Sequence, residues 1–155
     1  MRARGFTLIE MLVVLAMMGV LAMAARPMLQ MSAQRAREHD LRVALRQIRT
    51  AIDAYKKAAD EGTIARPADA SGYPPSLDAL VAGVADVKSI KGRKIYFLRR
   101  LPRDPFADRE LDPALTWGLR SADSPPDEPK PGDDVFDVYS RSGKKALDGS
   151  RYRDW

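Results

Sequence analysis

From Phe6 to Ala25 the sequence reads FTLIEMLVVLAMMGVLAMAA, and Glu10 is the one charge in that run. About twenty such residues form a helix long enough to cross the hydrocarbon core of a bilayer. Arg2 and Arg4 precede the run. Lys and Arg beside a first span stay on the cytoplasmic side, which predicts an inside N-terminus and an outside bulk. Past Pro27 the pattern changes. Leu41, Leu45, Ile48, Ile52 and Tyr55 recur at spacings of four, three, four and three, with Arg42, Arg46, Arg49, Asp53 and Lys56 between them. That periodicity predicts an amphipathic helix with its stripe on a core. Glu61-Gly62 predicts its end, because glycine readily takes the left-handed conformation that follows a helix.

The remaining pattern is shorter-ranged. Residues 63–72 are small and polar and predict a loop. Tyr73 to Val81 reads as a turn leading into a short helix capped by Ser76, with Leu77, Leu80 and Val81 facing inward. The prolines around Asp104 predict an extended, stiff segment. Two strands are predicted, at 115–119 and 135–139, from their aromatic and β-branched residues. Between them Ser121 to Asp134 is loaded with Pro, Asp, Glu and Gly, which predicts a surface loop and a contact surface. The fold class is α+β: one long N-terminal helix, transmembrane in its first half, packed in its second half on a small antiparallel β-sheet.

Composition narrows the chemistry. The chain has 155 residues, no cysteine and one histidine, with 26 Lys and Arg against 21 Asp and Glu. Disulfides and thiolate chemistry are excluded. The basic excess is modest and interspersed with acids, so the charge stripe of a nucleic-acid binder is missing and no nucleic-acid partner is expected. His39 stands alone on a charged helical face, and no Ser/His/Asp set or spaced carboxylate pair is recognisable, so no enzyme is expected. Gly143-Lys144 lacks the preceding glycine spacing of a phosphate-binding loop.

Glu10 distinguishes three readings of the N-terminal run. A cleaved signal peptide fits the basic start and the Ala22-Met23-Ala24 site, and a passive anchor fits the length. Neither has a use for a carboxylate inside an apolar span, which costs on the order of 2.5–3.5 kcal/mol and usually has a partner. Gly5-Phe6-Thr7-Leu8-Ile9-Glu10, followed by Met11 to Leu15, resembles the class III prepilin signal shared by type IV pilins and the pseudopilins of bacterial type II secretion systems. A second block supports the secretion branch: Tyr73-Pro74, Leu77 and Leu80 lead to Leu101-Pro102, Asp104-Pro105 and Phe106. The resemblance is close up to Pro27, partial from Tyr73 to Phe106 and loose after Leu115.

The resemblance implies cleavage after Gly5 by a prepilin peptidase, N-methylation of the new first residue Phe6, and assembly roles for Glu10 and Pro27. It implies residues 1–5 as leader, 6–26 as transmembrane and polymerisation helix, 27–61 as the periplasmic half of that helix, and 62–155 as the globular domain. The implied function is that of a structural subunit polymerised into a periplasmic filament that helps export proteins across the outer membrane. Implied partners are further copies of the chain, other pseudopilins, the peptidase, the inner-membrane assembly platform and the membrane itself. A type IV or minor pilin, a passively anchored periplasmic binding domain and a secreted enzyme released after Ala24 are the alternatives. The major pseudopilin type also implies a calcium ion in the last loops. Asp148, Ser150 and Asp154 are the oxygen donors at hand, whereas Arg141, Lys144, Lys145, Arg151 and Arg153 crowd the same stretch. The bland alternative is that Asp148-Gly149 is a turn.

Overall fold

The computed structural model describes residues 6–155; Gly5 and the other leader residues lie outside the described residues. The first helix, α1, runs from Leu8 to Asp60 over 53 residues. Thr7 starts it: its Oγ1 accepts the Glu10 amide at 3.3 Å, and its carbonyl accepts the Met11 amide at 3.2 Å. Thr7-x-x-Glu10 is thus half of a capping box. The far end closes as a Schellman motif. The Thr63 amide donates to the Ala58 carbonyl at 2.8 Å and the Gly62 amide to the Ala59 carbonyl at 3.1 Å, with Gly62 at φ +63°. Pro27 lies within α1, so the helix does not end at the edge of the apolar run.

The chain divides into two compact units, one up to Ala36 and one from Arg37 to Trp155. In the first, the apolar side chains have no cover: Leu8, Ile9, Leu15, Met18 and Leu21 are among many that stand open to the surroundings. The second unit holds the core. The sequence stripe is its spine, since Leu41, Leu45, Ile48, Ile52 and Tyr55 are all buried, with Ala44, Ala51 and Ala59 filling the closer approaches. Leu77, Leu80, Trp117, Val135, Val138 and Tyr152 pack with them. Tyr55 meets Phe97 with ring centroids 5.2 Å apart, and the Leu80 carbonyl accepts both the Phe97 and Leu98 amides.

The β structure is sparser than a single sheet. β1 (Val84–Ala85) pairs antiparallel with β2 (Lys94–Ile95), and β3 (Trp117–Arg120) pairs antiparallel with β4 (Asp137–Ser140). These are two separate two-stranded ribbons. Both predicted strands shift toward the C-terminus. Leu115 and Thr116 belong instead to a 3-10 helix, Pro113–Thr116, because Asp112 Oδ1 caps the Ala114 amide at 2.9 Å and Pro113 opens the turn. Val135 is drawn off before β4 by its bond to the Pro74 carbonyl at 2.8 Å. The short helix α2 is Ala79–Ala82; Asp78 precedes it, no side chain caps it, and Ser76 offers its carbonyl, at 3.3 Å from the Ala79 amide, in place of its hydroxyl.

Register in the β3–β4 ribbon places Gly118 opposite Tyr139. A methyl group on Gly118 would fall 2.2 Å from the Tyr139 ring, so the ring occupies the space that any larger residue would need. The Leu101-Pro102-Arg103-Asp104 segment is anchored from both sides. The Trp117 indole donates to the Pro102 carbonyl at 2.9 Å, and the buried Asp104 carboxylate accepts the Phe106 amide at 2.8 Å and the Ser140 hydroxyl at 2.5 Å. Asp104 is therefore a structural pin joining this segment to β4.

Candidate functional site

Two regions carry the candidate residues. The first is the start of α1. Phe6 is 75 % exposed, and Glu10 is exposed in the first helical turn. A carboxylate there sits at the positive end of the helix dipole, a favourable placement for a negative charge. The helix thus supplies some compensation for Glu10 before any external partner does. Around it the run from Leu8 to Met23 is exposed on every face, and α1 contains a stretch long and apolar enough to cross a membrane.

The second region is the segment 144–155, tied to α1 by three charged side chains. Glu38 is buried, and its Oε1 accepts the Leu147 amide and the Tyr152 hydroxyl, each at 2.9 Å. The Arg42 guanidinium lies 4.0 Å over the Trp155 ring and 3.7 Å from Asp148 Oδ2. Arg49 donates from Nε to Asp137 at 2.7 Å and from Nη2 to the Val138 carbonyl at 3.1 Å and the Trp155 carbonyl at 2.7 Å. Tyr152, fully buried, stacks on Phe106 at 4.1 Å, and Trp155 meets it edge-on at 5.1 Å. Trp155 is thereby fixed between Tyr152 and the helix by Arg42 and Arg49.

The three oxygen donors considered for calcium are placed as follows. Asp148 Oδ1 accepts both the Ser150 amide at 2.9 Å and the Ser150 hydroxyl at 2.6 Å, and Oδ2 faces Arg42. Ser150 Oγ in turn accepts the Trp155 indole N–H at 2.7 Å. Asp154 lies elsewhere, along a depression shared with Arg49, Arg120 and Arg153. Calcium takes six to eight oxygen ligands, several of them carboxylate. Here the Asp148 carboxylate already accepts a hydroxyl and an amide and faces a guanidinium at 3.7 Å, so these three side chains do not by themselves supply the ligand set of that ion. Among the described residues no group of three His, Cys, Asp or Glu side chains is arranged to hold a metal. The Ser150 hydroxyl, the Ser150 amide and Arg42 hold the Asp148 carboxyl below the usual carboxylate range. A lowered value means that its contribution to stability is present above the usual range and is lost as pH falls through the lowered one.

Glu38, Arg49 and Thr7 are the residues that sequence reasoning did not single out. Glu38 had a readable signal: it sits three residues before Leu41, beside the apolar stripe. Thr7 had one too, in the Thr-x-x-Glu spacing. Arg49 had none, since its partners are 88 to 106 residues away.

Glu38→Ala leaves the Leu147 amide and the Tyr152 hydroxyl without that acceptor and is expected to cost about 1–3 kcal/mol. Glu38→Gln keeps an acceptor oxygen and is expected to lose less than half as much. Thermal melting of the detergent-solubilised full chain checks both; equal melting temperatures for wild type and Glu38→Ala would contradict the latch.

Residues 1–25 match the family described as the prokaryotic N-terminal methylation motif. Over 109 residues the chain is 32% identical to the type II secretion system core protein G of Klebsiella pneumoniae, with 68% of this chain and 70% of that protein covered. No solved structure gives a significant match to the chain. A prepilin-type methylation motif at the head of a long apolar helix, joined to a latched α+β domain related to that protein over most of its length, places this chain in the family of type II secretion system core protein G, the major pseudopilin, and makes it a subunit of the secretion pseudopilus.

Proposed function

We propose that the chain is inserted with its N-terminus cytoplasmic, cleaved after Gly5, methylated on Phe6, and drawn from the inner membrane into a periplasmic filament. The observation that carries this reading is the run from Leu8 to Met23, apolar, exposed on all faces, and broken by one carboxylate. Such a surface needs lipid before assembly and other copies of the same helix after it. Moving between those two environments replaces lipid contacts by helix contacts, so the apolar residues alone are nearly neutral between them. The ionic pair supplies the difference. After cleavage Phe6 carries a positive amino group, and the Glu10 of an incoming copy in low dielectric is strongly attracted to it. Pairing offsets the desolvation of both groups and fixes the axial register.

Pro27 removes one backbone donor from the interior of α1, leaving the Met23 carbonyl without its intrahelical partner. This is where α1 bends or opens most cheaply as a subunit leaves the bilayer. In this reading the chain is a structural element and a substrate of the peptidase, consistent with a sequence holding one histidine and no cysteine. Other pseudopilins and the inner-membrane platform are its remaining partners, and growth of the filament moves folded proteins toward the outer membrane.

The globular domain is held without a cation. Arg42 supplies at Asp148 the positive charge that a metal would bring, and Glu38 and Arg49 complete the attachment of residues 144–155. Millimolar calcium or its chelation is accordingly expected to leave the melting temperature unchanged; a rise of several degrees with calcium would overturn this point.

Mass spectrometry of the mature chain from cells with and without the prepilin peptidase tests the main reading. It predicts N-methylated Phe6 that depends on the peptidase. An intact Met1, or a chain beginning at Ala25, would contradict it.

A further inference from the structure

Charge is segregated in the second unit. Between Val87 and Arg103 there are seven Lys and Arg and no acid, whereas Asp104 to Asp137 holds ten Asp and Glu against three Lys and Arg. Each half of this asymmetry is displayed on a rigid projection. The basic one is the connection between β1 and β2, residues 86–93. The Asp86 amide bonds the Arg93 carbonyl at 2.9 Å, the Val87 amide bonds the Thr63 carbonyl at 2.9 Å, and Asp86 Oδ1 accepts the Lys88 amide at 2.9 Å. At its tip Ile90 is 105 % exposed and Val87 58 %. Lys91, Arg93 and Lys94 are exposed around them, and no ion pair engages any of the three among the described residues.

The acidic projection is the loop Ser121–Asp134. It is stiffened by Pro125, Pro126, Pro129 and Pro131, and it is closed on itself by the Ser121 amide donating to the Lys130 carbonyl at 3.0 Å. Asp134 is consumed internally, accepting the Ala122 amide and the Ser71 hydroxyl, and Glu128 pairs with Lys130 at 3.0 Å. Asp123, Asp127 and Asp133 are exposed and enter no ion pair among the described residues; Asp127 borders a depression with Arg49, Arg120 and Arg153, and Asp123 and Asp133 border one with Arg66. Two preformed surfaces of opposite sign therefore coexist on one domain, and neither neutralises the other within it.

We propose that these two surfaces meet between copies: the β1–β2 tip of one subunit docks on the Ser121–Asp134 loop of another. This rests on self-assembly, and it names the contact through which globular domains recognise each other. An open polymer needs two different faces on each subunit, since a contact that paired one face with its own copy would close as a dimer. Three cations and three carboxylates, none of them in an ion pair within the domain, give register and steer encounter when they meet. Ile90 and Val87, exposed at the tip, bury against the proline ridge as the apolar centre that such contacts have. A chain whose fold needs neither patch thereby gains a use for both.

The full chain, expressed with the rest of its secretion machinery, provides the test. Two charge-reversed variants are made, Lys91→Glu/Arg93→Glu/Lys94→Glu and Asp123→Lys/Asp127→Lys/Asp133→Lys, together with their combination. At equal membrane levels each reversal alone is expected to lower sedimentable polymer by about tenfold or more, and the combination to bring most of it back. Wild-type yield from either reversal alone, or no recovery in the combination, would overturn the contact. A second measurement holds if the reversed chains misfold. The chain has no cysteine, so co-expressed Ile90→Cys and Pro126→Cys copies form a disulfide-linked pair only if the tip of one meets the loop of another. A mixed dimer absent from either variant alone supports the contact, and its absence from polymer that still forms overturns it. Absence of polymer from the wild type would instead remove self-assembly, and this contact with it.

Discussion

The apolar run from Leu8 to Met23 is a surface the chain never covers, and the rest of the molecule is arranged around that fact. A soluble domain would bury such a stripe against other elements. Here α1 carries apolar residues on all sides, which leaves only lipid or other copies of the same helix as neighbours. Glu10 makes the choice between them unequal. In lipid it has the partial charge of the helix N-terminus and the Thr7-capped first turn; in the proposed filament it gains a full positive charge from the next Phe6. In the proposed filament a single carboxylate thus turns an anchor into an assembly element.

The second half of α1 does different work with the same backbone. Its stripe from Leu41 to Tyr55 forms the spine of the domain core. The flanks of that stripe carry the charged groups that fasten the far end of the chain: Glu38 to Leu147 and Tyr152, Arg42 to Asp148 and Trp155, Arg49 to Asp137 and Trp155. With two ribbons of two strands each in place of a broad sheet, the domain has few ladder bonds to resist opening. The latch compensates by tying a segment remote in sequence directly to the helix. Asp104 does the same for the proline-rich segment, reaching Ser140 in β4.

Much of this was legible in the sequence. The membrane-length run, the helical stripe and its stop at Gly62 follow from periodicity and glycine chemistry, and the structure has each of them. The two strands were visible as aromatic and β-branched clusters, but their starts were displaced. Asp112-Pro113 is a helix-opening signal that outranks the strand preference of Leu115 and Thr116. Ser76 looked like a cap because propensity ranks it so, yet the short helix begins at Ala79 after a turn that uses the Ser76 carbonyl. The latch was the least readable part. Its pairs are separated by roughly a hundred positions, and no local rule brings Arg49 to Trp155. Near residues 141–153 the sequence shows acids and bases interleaved; the fold pairs Asp148 with Ser150 and Arg42 through contacts that sequence spacing does not encode.

If Glu10 drives assembly, it is dispensable for insertion. Glu10→Ala in the full chain, followed in cells that contain the prepilin peptidase, separates the two. The expected variant is present in the inner membrane at wild-type level and processed at Gly5, with sedimentable filament lost. Filaments of normal yield and length from Glu10→Ala would contradict the assembly role.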